Sequence, residues 1–246
     1  MQITFDMEEW EILNFARDLS TFNALALKYE LPVEQASLRG LEGKLQHGGD
    51  FSVSVKDIEF NIFGAIAGTI PTGINMFSVF FSHDCHVDNA KNKEKEDPFF
   101  NKNGYSFQLN IVGYKDDEPD AFHSWLHLDR HEQGGDEPKH SHPFYHFQFG
   151  GDEMETRSTG QLMLPATPRI AHPPMDLFLG IHFILDNFYN KNSFPKIKEM
   201  MLDDDYCHII RNAQKRLWLP YFKAFTEGFD HVDYTRKNIF PLYIDN

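Results

Sequence analysis

Hydrophobic positions change their period twice along the chain. Between about Met7 and Tyr29, Ile12, Phe15, Ala16, Leu19 and Phe22 recur at helical spacing, which predicts an amphipathic helix that is over by Pro32. From Phe51 the runs become short and β-rich: FSVSV, IEFNIFGAI, INMFSVFF, YSFQLNIVGY, AFHSWLHLDR and FYHFQFG. Turn-like or charged segments separate them, such as Pro71-Thr72-Gly73 and the lysine-rich stretch from Lys91 to Lys95. Successive strands with no helix between them predict an antiparallel sheet.

After about residue 170 the helical period returns. Leu177, Phe178, Ile181, Ile184, Leu185 and Phe188 form one stripe, and Tyr206, Ile209, Ile210, Ala213 and Leu217 form a second. Pro173 and Pro174 mark the start of the first helix, with Asp176 in its first turn, and Pro220 is expected to end or kink the second. The order predicts a single α+β domain over 1–246. It divides into a helical N-terminal part (1–50), an antiparallel sheet of about six strands (51–170) and a helical C-terminal part (171–246) packed on one sheet face.

Composition supports a sizeable core, since 24 Phe occur and 41% of residues are hydrophobic. Charge narrows the partners. Against 37 acidic residues stand 23 basic ones, and a net charge of -14 repels phosphate backbones, so duplex nucleic acid is not the default ligand. Arg211, Lys215 and Arg216 are read as a solvated helix face. The opening MQITFDMEEW lacks the basic flank and apolar run of a signal peptide, and DLFLGIHFIL is too short to span a membrane. With only Cys85 and Cys207, no disulfide framework is expected, which fits a cytoplasmic protein.

Five of the 13 histidines fall in HLDRHEQGGDEPKHSHPFYHFQFGG, residues 127–151. If AFHSWLHLDRH is a strand, His123, Trp125, His127, Asp129 and His131 share one face; His142, His146 and Gln148 share a face of the next strand. A symmetric turn sets His127 opposite His146 and His131 opposite His142, while a one-residue slip would move one histidine set to the other face. On one strand His142 and His146 would stand roughly 13 Å apart, too far to share an ion. His127, Asp129 and His146 are therefore the leading candidate ligands for zinc, manganese or iron, with His131 and His142 second. A polar face of hydrogen-bonded imidazoles presents the same inventory, and that plainer reading comes first.

Other segments offer weaker chemistry. HDCHVD supplies Cys85 beside His86, a possible nucleophile, though neighbouring strand residues point to opposite faces and an inert thiol is the first expectation. Arg169 and His172, just before a helix start, form a candidate anion site, against the simpler role of a rigid connection. Asp203, Asp204 and Asp205 read as an acidic helix start. Gly134 followed by His140-Ser141-His142 resembles the opening of the cupin metal motif, but His146 stands where that motif has a glutamate.

HPFYHFQFGG, PRIAHPPMD and FILDNFY together resemble a bacterial family with a domain of unknown function, sometimes encoded beside helicases in phage-defence loci. The likeness spans roughly residues 142 to 190 and carries over no catalytic residue. It implies a bacterial accessory or binding protein in antiviral defence, with a protein partner such as a helicase or nuclease. Beside that first expectation stand a metal-dependent hydrolase or oxygenase on the histidine hairpin, and a phosphate or nucleotide sensor at Arg169 and His172.

Overall fold

A computed structural model describes residues 12–33, 35–42, 51–88, 96–99, 104–116, 118–131, 141–150, 154, 169–226 and 228–241. The lysine-rich stretch 91–95 and the Gly134 to His140 part of the cupin-like motif lie outside the described residues. Among these residues two helices, α1 (Ile12–Lys28) and α2 (Gln35–Glu42), precede a six-stranded antiparallel sheet in which every strand pairs with its neighbour in sequence. Its strands are β1 (Phe51–Phe63), β2 (Met76–Val87), β3 (Tyr105–Lys115), β4 (Glu118–Arg130), β5 (Tyr145–Phe149) and β6 (Ile170–Ala171). Four helices follow among the described residues: α3 (Leu177–Phe188), α4 (Pro195–Met201), α5 (Asp204–Lys223) and α6 (Arg236–Ile239).

The α+β expectation holds, with two changes of detail. FSVSV and IEFNIF form one strand with a bulge between Val55 and Ile58, where Asp57 takes φ 51° and donates its backbone N–H to Ser82 Oγ at 2.9 Å. The sixth strand is instead the two-residue β6, pairing with β5. Pro220 lies inside the last turn of α5, which runs three residues beyond it.

Alternation gives the sheet two unlike faces. Val53, Val55, Ile58, Phe60 and Ile62 of β1, Val79 and Phe81 of β2, Phe107 and Leu109 of β3, and Leu126 and Leu128 of β4 are buried toward the helices. The other face carries Ser78, Asn110, His127, Asp129 and His146. α1 buries the predicted stripe, with Phe15 and Phe22 each packed against Phe178 of α3.

α3 lies so close to the sheet that a Cβ on Gly180 would meet the Phe81 and Phe107 rings at 2.7 and 2.8 Å. Gly180→Ala should therefore destabilise by about 1–3 kcal/mol, although alanine favours a helix by about 1 kcal/mol. Thermal denaturation decides between them; a more stable alanine variant would disprove the close packing.

Three of the buried carboxylates, Asp18, Asp97 and Asp176, are paired with arginines. Arg216 of α5 reaches Asp18 of α1 at 3.1 Å and Asp176 at 3.2 Å, so this residue is not part of a solvated face, whereas Arg211 and Lys215 are exposed. Asp176 is the N-cap of α3, one residue outside the expected first turn, and accepts from Leu179 N. Asp97, fully buried, accepts from Arg130 Nε at 2.6 Å and from the hydroxyls of Tyr145 and Tyr234. Asp203 caps α5, with Asp204 and Asp205 in its first turn, as the acidic helix start requires. Among the described residues, no helix is long and apolar enough to cross a membrane.

Candidate functional site

The histidines of β4 and β5 share the sheet face turned away from the helices, as alternation predicts, but in a different register. Asp129 stands opposite His146 and His127 opposite Gln148, a two-residue offset from the symmetric turn. An even offset keeps every side chain on its expected face. His127 Nε2 instead meets Asp129 Oδ2 of its own strand at 3.1 Å.

The expected 13 Å gap between His142 and His146 does not exist, because β5 begins only at Tyr145 and His142 precedes it on non-strand backbone. Pro143, which has no N–H for a ladder, separates the two. The His142 and His146 rings meet edge to face at 4.6 Å between centroids, and His142 also contacts His131 at 4.2 Å. The second-rank histidines thus join the leading one in a single cluster.

His142 is the middle ring of this group; His146, at one end of it, is fully buried. Its Nδ1 lies 3.0 Å from the Pro143 carbonyl, which can only accept, so Nδ1 carries the proton. In the neutral ring Nε2 is then a bare acceptor, and it is buried with no partner among the described residues. Burial is the main force holding His146 below the usual histidine value, with the Pro143 bond and Asp129 opposing it. Burial, then His146 and His131, press His142 down to about 4. Both rings are neutral near neutral pH, the form in which imidazole binds a metal or takes a proton.

Arg169 belongs to this face too. His146 pairs with Ala171, so Arg169, two residues earlier, shares their side of the ladder. Its charge helps depress both His142 and His146, and its Nε is buried without a partner among the described residues. Asn110 Oδ1 and Trp125 Nε1, from a directly opposed pair on β3 and β4, are likewise buried and unpartnered. Four such atoms lie on this face, while His83 Nε2 is orphaned on the core face, and buried polar atoms without partners call for ligands or water.

The structure does not bring the expected anion pair together. His172 packs on Phe147 at 4.6 Å, toward the helices, and its Nδ1 donates to the Pro173 carbonyl at 2.7 Å. The N-terminus of α3 is already capped by Asp176, whose other carboxylate oxygen is paired with Arg216. Cys85 faces the core, buried, and burial pushes its thiol well up, so it is an inert thiol; His86 opposes Ser52 on the other face.

A cleft of about 380 Å³ opens between α1 and α5 around Asp18, His208 and Asn212, and another of about 310 Å³ between the end of β1 and the segment after α3. Neither is lined by His131, His142 or His146, so cavity size and orphaned chemistry point to different places. The orphaned nitrogens are the more specific signal, because their burial carries a cost that a ligand would relieve. Among the described residues, no group of three or more His, Cys, Asp or Glu side chains is arranged to hold a metal ion; the three rings touch rather than splay about one point. Compared with known protein families, curated proteins and solved structures, the chain matches none.

Proposed function

We propose that the protein is a metal-dependent enzyme, holding a divalent zinc, manganese or iron ion on His146 and His142 with Asp129 and His131 as further ligands. The observation that carries this reading is the bare, buried Nε2 of His146, whose other nitrogen is fixed on the Pro143 carbonyl. Metal-binding histidines are commonly oriented in this way, with the second N–H donated to a carbonyl. Binding requires His142 to turn away from its neighbours, and its non-strand backbone leaves it outside the ladder. His127, paired with Asp129, would orient that carboxylate. Two histidines with one carboxylate leave positions open for water or substrate on any of these ions, and a third histidine leaves them open on manganese or iron, suited to hydrolysis or oxygen chemistry.

Metal content by plasma mass spectrometry, followed by calorimetric titration with each ion, tests it. Wild-type protein should take up about one ion per chain, and His146→Ala, folded by circular dichroism, should take up none. Folded wild-type protein that stays empty through all three titrations would rule the reading out.

A second reading is an accessory protein that docks on a larger partner such as a helicase or nuclease in a bacterial defence system. It is favoured by large apolar side chains left exposed at the end of α5 and around α6, namely Phe222, Phe225, Val232 and Phe240.

A further inference from the structure

We infer that Arg169 anchors an oxyanion of the ligand, a phosphate or carboxylate group, beside His146. This deepens the proposed site, and rests on it for the role of the metal but not for the anion contact itself. Extending the pairing of β5 with β6 by one further step places Arg169 level with Gln148, in the row that already contains His127. The adjacent row runs Asp129, His146, Ala171, so Arg169 and His146 are diagonal neighbours on one face. Ala171 contributes only a methyl group to that row.

The two orphaned atoms are complementary. Arg169 Nε is a buried donor with no acceptor among the described residues, and His146 Nε2 is a buried acceptor with no donor. One ligand answers both when it offers a negatively charged oxygen to the guanidinium and a metal ion or a hydroxyl proton to the imidazole. An oxyanion coordinated to a metal does so, and a protonated phosphate does so unaided. The surroundings make the choice of an anion specific. The chain carries a net charge of -14, which repels anions at long range, so an anion site needs a local, partly buried cation. Arginine suits this role, because its planar fork matches both carboxylate and phosphate oxygens.

Titration calorimetry with inorganic phosphate, and separately with acetate, tests the assignment on metal-free and zinc-treated full-length protein. Wild type should bind at least one of the two, Arg169→Gln should bind it about tenfold or more weakly, and Arg169→Lys should fall between them. Preference for phosphate identifies a phosphoryl group, and preference for acetate a carboxylate. If the metal reading alone fails, the difference between wild type and Arg169→Gln persists in the metal-free protein. If the arginine assignment fails, Arg169→Gln binds as tightly as wild type in both forms, or folded wild type binds neither anion. Should Arg169→Gln not fold, the same comparison is made with Arg169→Lys, and equal binding by it and wild type overturns the assignment.

Discussion

Arg216→Met lowers the stability of the fold by about 3–5 kcal/mol, the loss expected when one partner of a buried ion pair is removed and its counter-charges stay behind. Two carboxylates would be stranded: Asp176 is 1% exposed and Asp18 6%. Burial already raises the Asp18 carboxyl above its ordinary value, while Arg216 and Asn212 pull it back. The effect reaches α3 as well, because Asp176 caps that helix through Leu179 N. Urea denaturation near neutral pH measures the loss. Adding Asp18→Asn to Arg216→Met should recover part of it by removing one stranded charge. A loss under about 1 kcal/mol in the single variant would show that water or rearrangement relieves both carboxylates.

Arg216 also shows where the sequence stops being informative. Its neighbours Arg211 and Lys215 are exposed, as a charged helix face should be, whereas Arg216, seven residues after Ile209 and three after Ala213, falls on the buried stripe by helical period; what the sequence withholds is its partners, the distant Asp18 and Asp176. By contrast, the α1 stripe was legible because helical period and burial coincide at Phe15, Leu19 and Phe22. The sheet was legible as alternation, except where the bulge puts two residues, Lys56 and Asp57, between the buried Val55 and Ile58. That break reads as a strand boundary. At two residues, β6 is too short to show a period and is defined by pairing alone.

The same division holds at the site. Which histidines share a face follows from parity, and the two-residue offset in register leaves parity unchanged. The partner of His146 is therefore invisible to sequence pattern, and Asp129 replaces His127 there. The position of His142 had a signal: Pro143 argues against a strand running through it, and that signal was outweighed by the apparent alternation of His142, Phe144 and His146. Arg169 had none, because its place beside the histidines depends on the β5–β6 pairing of segments distant in sequence.

Stability should fall steeply as pH drops below about 6.5, the ordinary histidine value. His83, His142, His146, His172, His182 and His231 are all held below that value, each chiefly by burial. The sign follows from proton counts: below about 6.5 the unfolded chain binds protons that the folded rings refuse. Their stabilising contribution is thus complete above that pH and declines toward each folded value, which for His142 is about 4. Each contributes a slope of at most about 1.4 kcal/mol per pH unit, with less from the half-exposed rings. Carboxylates act elsewhere. Asp203, drawn down to about 2 by Lys28 and Tyr29, loses its contribution only as pH falls through that lower range, and the raised Asp18 works in the opposite direction. The interval just below 6.5 therefore belongs to the histidines. His83 isolates one of them: it is fully buried on the core face, stacked on Phe81, and donates Nδ1–H to the Ser106 carbonyl at 2.8 Å. Denaturant midpoints across this interval should vary less steeply for His83→Phe than for wild type, whatever the variant's stability at neutral pH. An unchanged slope would mean that His83 takes up its proton in the folded protein as readily as in the unfolded chain.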